Sequence, residues 1–118
     1  MRLILISLIF LTACSNLTAS ILGGPQEFSY TPTYMVEGQG HTMTVTFTVT
    51  DGVVTGLQIE PGAVSGSERG HQFAFSANIR RYVLEQPVDA ISLPASVGEE
   101  AQLTDVFRAV VVQLQNDQ

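Results

Sequence analysis

The sequence predicts an α+β fold, with a small antiparallel sheet, helices packed on one side of it and an amphipathic helix at the carboxyl end. Three observations lead to this prediction. One stretch alternates apolar and threonine side chains, a tight-turn dipeptide and a second strand follow it, and the helical periodicities come after the strands rather than between them. Strands followed by helices are typical of α+β domains.

Residues 1–13 have the organisation of an export signal. Arg2 is followed by an apolar run and then by Leu11-Thr12-Ala13 directly before Cys14, the single cysteine. The run is too short for a spanning helix, which needs ~20 apolar residues, and it lacks the polar face of a core helix. The pattern resembles the lipobox of bacterial lipoproteins. This resemblance implies cleavage before Cys14, lipid on its sulfur and acylation of the new amino terminus.

The charge of the chain excludes one class of partner. Without residues 1–13 it carries four arginines, no lysine and eleven carboxylates, a formal charge of −7. Such a surface repels phosphate backbones and anionic head groups, which excludes nucleic-acid binding and attachment to a membrane through a basic patch. Anchoring must then depend on the acyl chains, and a stable anchor needs more than one.

The segment after the cysteine predicts a spacer. Residues 14–26 show no sustained period and contain Gly23-Gly24-Pro25, which favours a lipidated cysteine with a flexible tether, followed by one domain over residues 27–118. The alternative is that Ile21 and Leu22 dock on the domain. Both readings leave a single small domain outside the cytoplasm.

The clearest strand runs from His41 to Thr50, with Met43, Val45, Phe47 and Val49 on one face and threonines on the other. Asp51-Gly52 suits a tight hairpin turn because both positions tolerate positive φ. A second strand over Val53 to Glu60 follows, and its apolar face is predicted to comprise Val53, Leu57 and Ile59. Phe28 to Val36 fits an earlier strand that Pro32 confines to an edge or splits.

Two helices are predicted in the second half. Pro61 to Gly70 is expected to be a loop, and His71 to Leu84 a helix with an apolar face formed by Phe75, Ile79, Tyr82 and Val83. The period of Val88 to Leu93 leaves an extended segment and another strand both open. The terminal helix has the strongest period, through Leu103, Val106, Phe107, Val110, Val111 and Leu114.

Charged residues near that last helix fit its start rather than a catalytic site. Ser96 and Glu99 match a capping box. For Glu99-Glu100 with Asp105, charging of the helix start is favoured over proton transfer or a cation site.

Arg80 and Arg81 belong to the earlier predicted helix, where adjacent residues point in different directions. This favours a solvated face over a site that grips an anion.

The motifs of most enzyme classes are absent from the sequence. It has no nucleophile elbow, no phosphate-cradling glycine loop and no cluster with metal-ligand spacing. His41 and His71 lack an evident third ligand for a shared metal ion, so a surface or capping role is favoured for each.

The order of segments from Phe28 to Gln115 resembles the flavin-mononucleotide (FMN) binding domain. That family occurs in flavin-carrying subunits of sodium-pumping NADH:quinone oxidoreductase and of Rnf electron-transport complexes, and in many small lipoproteins. The matching pieces are Phe28, Tyr30 and Tyr34; Thr42 to Thr50; Asp51-Gly52 with Val53-Val54-Thr55; Phe73 and Phe75; Val88 to Leu93; and Ala101-Gln102-Leu103-Thr104 before Val106-Phe107.

In that family the segment before the final helix reads Ser-Gly-Ala-Thr or Ser-Gly-Ser-Ser, then a variable residue and Thr or Ser. It holds the flavin phosphate, which in some members is esterified to the threonine after alanine. The matching stretch here is residues 99–104, Glu-Glu-Ala-Gln-Leu-Thr. The resemblance therefore implies a cofactor site formed by Gly98, Ala101, Gln102, Leu103 and Thr104.

This segment departs from the family pattern in two ways. Gln102 holds the attachment position, and an amide cannot form the phosphoester, so covalent flavinylation by this route is excluded. Glu99-Glu100 replaces the small pair. One carboxylate about 4 Å from a phosphate charge costs ~1 kcal/mol in water and ~4 kcal/mol at an effective dielectric of 20, which outweighs the ~0.3–1 kcal/mol from the helix dipole.

Two hypotheses about function result. The first is a lipid-anchored, extracytoplasmic protein, periplasmic or at the cell surface, that holds FMN non-covalently and exchanges electrons with an envelope redox partner. Its flavin would stack on Tyr30, Tyr34 or Phe75, although these rings alternatively fill the core. The second is a cofactor-free envelope scaffold or protein-interaction module that has lost flavin binding. Both describe an electron carrier or binding module rather than a catalyst.

Overall fold

The computed structural model describes residues 24–62 and 66–118, and it confirms the α+β class. The predicted signal, Cys14 and the tether as far as residue 23 lie outside the described residues. The first described strand begins at Gln26, the last residue of the predicted tether. The elements are β1 (Gln26–Tyr30), β2 (Thr33–Val36), β3 (Gln39–Thr50), β4 (Val53–Pro61), α1 (Gly66–Val83), a 3-10 helix (Val88–Ala90) and α2 (Ala101–Asn116).

The described sheet is built around β3, which pairs antiparallel with each of the other three strands. β4 lies along one edge of β3, and β1 and β2 share the other. The register continues without a shift from Tyr30 opposite Val45 to Thr33 opposite Thr42. β1 and β2 are therefore one edge strand that is split at Pro32, as the sequence predicted.

Two-residue turns close both hairpins. Asp51 and Gly52 have φ values of 54° and 80°, and Glu37 and Gly38 have 51° and 83°. Positive φ at both central positions is the type I′ geometry that matches the twist of paired strands. The turn at Asp51 was predicted from its dipeptide, whereas the β2–β3 turn was not.

The prediction that Val53 lies on the apolar face of β4 was wrong. Thr48 pairs with Gly56 while Val49 pairs with Val54, so Thr55 is an extra residue in a β-bulge. The bulge reverses the alternation, because one added residue exchanges the two faces of a strand. Val54 is consequently buried with Leu57 and Ile59, and Val53 is only partly buried.

The core lies between one face of the sheet and the two helices. Phe107 of α2 contacts Phe47 of β3 and Phe75 of α1, with ring centroids 5.8 Å apart in each pair. The predicted inner residues of β3 are all buried, and so are Phe75, Ile79 and Val83 of α1, whereas Tyr82 is partly buried. Helices on one side of an antiparallel sheet are as the sequence predicted.

Helix α1 begins at Gly66, five residues before the predicted start, so the expected loop up to Gly70 is wrong over its last part. Its first five residues include two glycines, Gly66 and Gly70, which are poor helix formers. A tertiary contact accounts for the extension, because the phenol of Tyr34 donates a hydrogen bond to the Glu68 carboxylate in the first turn.

Both helices run in the direction of β3 and begin at the same end of the domain. Near its start α1 contacts Thr42 through Gln72, and α2 contacts Met35 through Gln102. The connection over residues 84–100 returns the chain to that end. Val88 to Leu93, which the sequence left open, forms the 3-10 helix followed by irregular chain. The residue before it, Pro87, makes an isolated bridge with Val53 of β4.

Candidate functional site

The segment that the sequence assigned to flavin leads into α2 through a tight turn. Gly98 and Glu99 have φ values of 59° and 67°, and the Glu100 N–H donates to the Val97 carbonyl at 3.0 Å. A Cβ on Gly98 would lie 2.7 Å from Nδ2 of Asn78 on α1. Gly98 therefore combines a left-handed conformation with close packing against the other helix.

Thr104 is fully buried, with an exposed fraction of 0 %. Its Oγ1 accepts a hydrogen bond from the Val97 N–H at 2.8 Å and donates one to the Glu100 carbonyl at 2.7 Å. The hydroxyl thus links the turn to the first turn of α2, and its only proton is used within the protein.

The other predicted site residues have separate roles. Leu103 is buried in the core, whereas Ala101 and Gln102 are exposed. Nε2 of Gln102 donates a hydrogen bond to the backbone carbonyl of Met35 at 2.7 Å. This contact ties the start of α2 to β2, at the position where the resemblance implied a flavin attachment residue.

The predicted capping box is wrong. Helix α2 begins at Ala101, so Ser96 lies outside it, and the N-cap residue Glu100 makes no side-chain capping bond. The tight turn at Gly98 shifts the helix start beyond the reach of Ser96. Glu100 instead places Oε2 2.8 Å from Nδ1 of His71, which joins the starts of the two helices.

A second polar contact near this end involves Tyr34, which is buried. Its phenol donates to Glu68 and accepts from Nε2 of Gln72 at 2.7 Å, and the same Nε2 donates to the Thr42 carbonyl at 3.0 Å. Burial and the hydrogen bond to Glu68 raise the pKa of Tyr34 far above its ordinary value. We call Tyr34, Glu68, His71, Gln72 and Glu100 the helix-start cluster.

The sequence did not predict the helix-start cluster because its members have no common spacing. Tyr34 and Glu68 lie in different elements, and Gln72 was assigned to no role. A polar residue between the apolar positions of α1 was the available signal, since Gln72 is fully buried and satisfied by two acceptors.

The rings considered for flavin stacking pack within the domain. Phe75 contacts Phe107, and Tyr34 lies beside His41 with ring centroids 5.7 Å apart. Tyr30 packs on Phe47 at 6.2 Å, and its hydroxyl donates to Asp117 at 2.6 Å. Burial and this bond raise the pKa of Tyr30 far above its ordinary value. The core alternative is therefore the one that the contacts support.

A groove lies beside the helix-start cluster, with a volume of about 510 Å³. It contains none of the five predicted cofactor residues. Two of its lining residues are acidic and none is Lys or Arg; they are Val36, Glu37, Gln39, His41, Gly66, Ser67 and Glu68. This charge is unfavourable for a phosphate group.

The remaining candidates have contacts of other kinds. Arg80 donates to the Leu57 carbonyl and Arg81 lies over the Tyr82 ring, so the predicted solvated face is wrong for Arg80, which is partly buried. Asp105 pairs with Arg108 at 2.9 Å. Within residues 24–62 and 66–118, no three His, Cys, Asp or Glu side chains are grouped so that they would hold a metal ion.

The buried Thr104 hydroxyl predicts a measurable loss of stability in Thr104→Val. This change leaves the buried Val97 N–H without an acceptor, which costs about 1–3 kcal/mol. Thr44→Val is the matched control, because the Thr44 hydroxyl shares a hydrogen bond with the exposed Thr31 hydroxyl. Its free energy of unfolding should change by no more than about 0.5 kcal/mol. Urea unfolding measures both. Equal losses in the two variants would contradict the role of Thr104.

His71 predicts a pH-dependent contribution to stability. The hydrogen bond and charge of Glu100, together with Glu68, raise the pKa of His71 above its ordinary value of 6.5. Because the folded-state pKa is the higher one, the stabilisation is fully present below pH 6.5 and is lost as the pH rises through the folded pKa.

NMR titration of the His71 ring tests this prediction. Glu100→Gln should lower the pKa of His71 and remove the corresponding part of the pH dependence of unfolding. His71 is half exposed, with 51 % of its side chain accessible, so the effect is reduced at high salt. An unchanged His71 pKa in Glu100→Gln would show that the ion pair is absent in solution.

The part of the chain with a described structure contains no helix whose length and apolar character suit a membrane crossing. No protein-family model, curated protein or solved structure matches the chain.

Proposed function

We propose that this protein is a lipid-anchored, extracytoplasmic interaction module with a fold of the FMN-binding-domain type. In this proposal the segment that holds the flavin phosphate in that family has become a cofactor-free structural joint. The joint consists of Val97, Glu100, Gln102 and Thr104, which connect the start of α2 to the preceding turn, to β2 and to α1.

The hydrogen bonds of Thr104 are the observation that carries this proposal. A hydroxyl has one proton to donate, and the Thr104 proton goes to the Glu100 carbonyl at 2.7 Å. A phosphate oxygen only accepts hydrogen bonds, so Thr104 would bind it only after breaking that bond. Since Thr104 is also fully buried, its contacts favour the joint over a ligand site.

The charges around the joint support the same conclusion. Glu100 lies next to the candidate site residue Ala101, Glu99 is exposed beside it, and Glu68 is on the adjacent helix start. His71 can carry a positive charge here, and it already contacts Glu100 at 2.8 Å. An FMN phosphate placed here would meet more negative than positive charge.

The same charges indicate which partner the module fits. All four arginines of the described residues contact their own domain: Arg69 lies over Phe73, Arg80 bonds the Leu57 carbonyl, Arg81 lies over Tyr82 and Arg108 pairs with Asp105. Exposed carboxylates are meanwhile spread over the surface at Glu27, Glu37, Asp51, Glu60, Glu85, Asp89 and Glu99. A partner surface rich in Lys or Arg is complementary to this distribution.

Flavin binding separates the proposal from the electron-carrier alternative. The purified full-length chain should be colourless, and it should not quench FMN fluorescence in a titration up to micromolar protein, because the Thr104 proton is already donated to Glu100 and the nearby carboxylates repel the phosphate. A yellow protein, or saturable quenching, would contradict the proposal and favour electron transfer.

A variant makes the flavin experiment sharper. Glu99→Gln with Glu100→Gln removes two charges next to the site without changing the size of the side chains. If the wild type does quench flavin fluorescence, a higher affinity in this double variant shows that the flavin phosphate lies at the start of α2. An unchanged affinity shows that the flavin binds elsewhere on the domain.

Membrane extraction after cross-linking in cells tests the anchor and the interaction together. The extracted chain should lack residues 1–13 and carry the added mass of lipid, whereas Cys14→Ser should stay unlipidated. Cross-linked adducts should contain an envelope protein, and high salt before cross-linking should reduce them, because the contact is charge-based. An intact Met1 terminus would contradict the anchor, and the absence of any adduct would contradict the interaction.

A further inference from the structure

The two methionines of the described residues have opposite surroundings. Met35 of β2 has an exposed fraction of 57 %, which places it among the exposed large apolar side chains of the domain, whereas Met43 of β3 is fully buried in the core at 0 %. Both belong to the same sheet. Residues 24–62 and 66–118 therefore offer one accessible thioether and one inaccessible thioether for direct comparison.

The cross-strand neighbour explains why Met35 is exposed. Met35 pairs with Gly40 on β3, and directly opposed residues in an antiparallel pair normally cover each other with their side chains. Glycine provides no such cover. A Cβ built on Gly40 would lie 3.5 Å from Sδ of Met35, which is ordinary contact distance. The missing side chain is thus the one that would shield the sulfur.

The backbone of Met35 is nevertheless held in place. Its carbonyl accepts the hydrogen bond from Nε2 of Gln102 at 2.7 Å, and its strand pairs with β3 in register. Ala101 and Gln102, the first residues of α2, are themselves exposed. The thioether is therefore presented to solvent by an ordered strand, whose backbone is bonded to the start of α2.

We propose that Met35 is a modification site that reacts with hydroperoxides, and that Met43 is protected from the same reaction. The sulfur attacks the terminal oxygen of the hydroperoxide, the O–O bond breaks, and a sulfoxide forms while water or an alcohol leaves. The sulfur is oxidised by two electrons and the hydroperoxide is reduced by two. Sulfoxidation needs no deprotonation, so access to the sulfur decides which methionine reacts.

Oxidation changes the chemistry of this surface. Conversion to the sulfoxide replaces an exposed apolar group by a polar, chiral one, at a position beside the helix-start cluster. The modified and unmodified proteins thus present different surfaces at the same end of the domain. This inference is independent of the proposed function, because it depends only on the exposure of the two sulfur atoms.

Limited oxidation of the full-length chain with hydrogen peroxide tests the inference, with peptide mapping by mass spectrometry at timed intervals. Addition of one oxygen to the Met35 peptide should be on the order of ten times faster than addition to the Met43 peptide, because access controls the rate. In concentrated urea the two rates should become equal. Equal rates in the folded protein would overturn the proposal.

Gly40→Val tests the cause of the exposure. Gly40 has no positive φ, and its Cβ would make ordinary contact with the Met35 sulfur, so the variant should fold and slow the oxidation of Met35 severalfold. Met35→Leu is the second variant, and it should leave the Met43 peptide as slow to oxidise as in the wild type. Fast oxidation of the Met43 peptide in a folded Met35→Leu, or an unchanged Met35 rate in a folded Gly40→Val, would overturn the assignment.

Discussion

The alternation of side chains along β3 is the constraint on which the rest of the structure depends. Its inward residues are Met43, Val45, Phe47 and Val49, all buried, and its outward residues are threonines. Each fully buried side chain of this size contributes roughly 1.5–3 kcal/mol, so both helices must cover the same face. Because both helices also run in the direction of β3, their starts meet where β2 joins β3.

The two adjacent helix starts determine which charges are favoured at this end of the domain. Helix starts carry unpaired N–H groups and partial positive charge, and two of them in one place would attract an anion. The chain brings its own carboxylates there: Glu68 accepts from Tyr34, and Glu100 contacts His71. The carboxylates thus offset the positive potential that would otherwise attract a phosphate. This is consistent with a joint that functions without a cofactor.

Local pattern allowed much of the fold to be predicted. The β3–β4 hairpin, its Asp51-Gly52 turn, the split at Pro32 and the terminal helix all follow from alternation, turn chemistry or helical period. The bulge at Thr55 was not predictable, because a single extra residue leaves no mark in composition. The early start of α1 also escaped prediction, since it depends on Tyr34, which is distant in sequence from Glu68.

The roles of the predicted site residues could not be read from the sequence. Gly98, Ala101, Gln102, Leu103 and Thr104 lie at or just before the start of α2, and two of them make contacts that a sequence pattern does not contain. Gln102 bonds a carbonyl on β2, and Gly98 approaches Asn78 on α1. Such long-range contacts depend on how the helices are placed, and local spacing carries no information about that placement.

Thr104 shows why a residue that fits a family pattern does not by itself indicate the function of that family. A threonine here is explained by the Val97 N–H, which would otherwise be buried without an acceptor, and by the Glu100 carbonyl. Both contacts stabilise the fold whether or not a ligand is present. The side chains of Glu99 and Ala101 are exposed, and neither makes a contact like those of Thr104. At Glu99 the sequence differs from the small residue of the flavin-binding pattern. The side chain that the fold uses is present, whereas the position that a phosphate would approach is acidic, and this difference favours a joint over a flavin site.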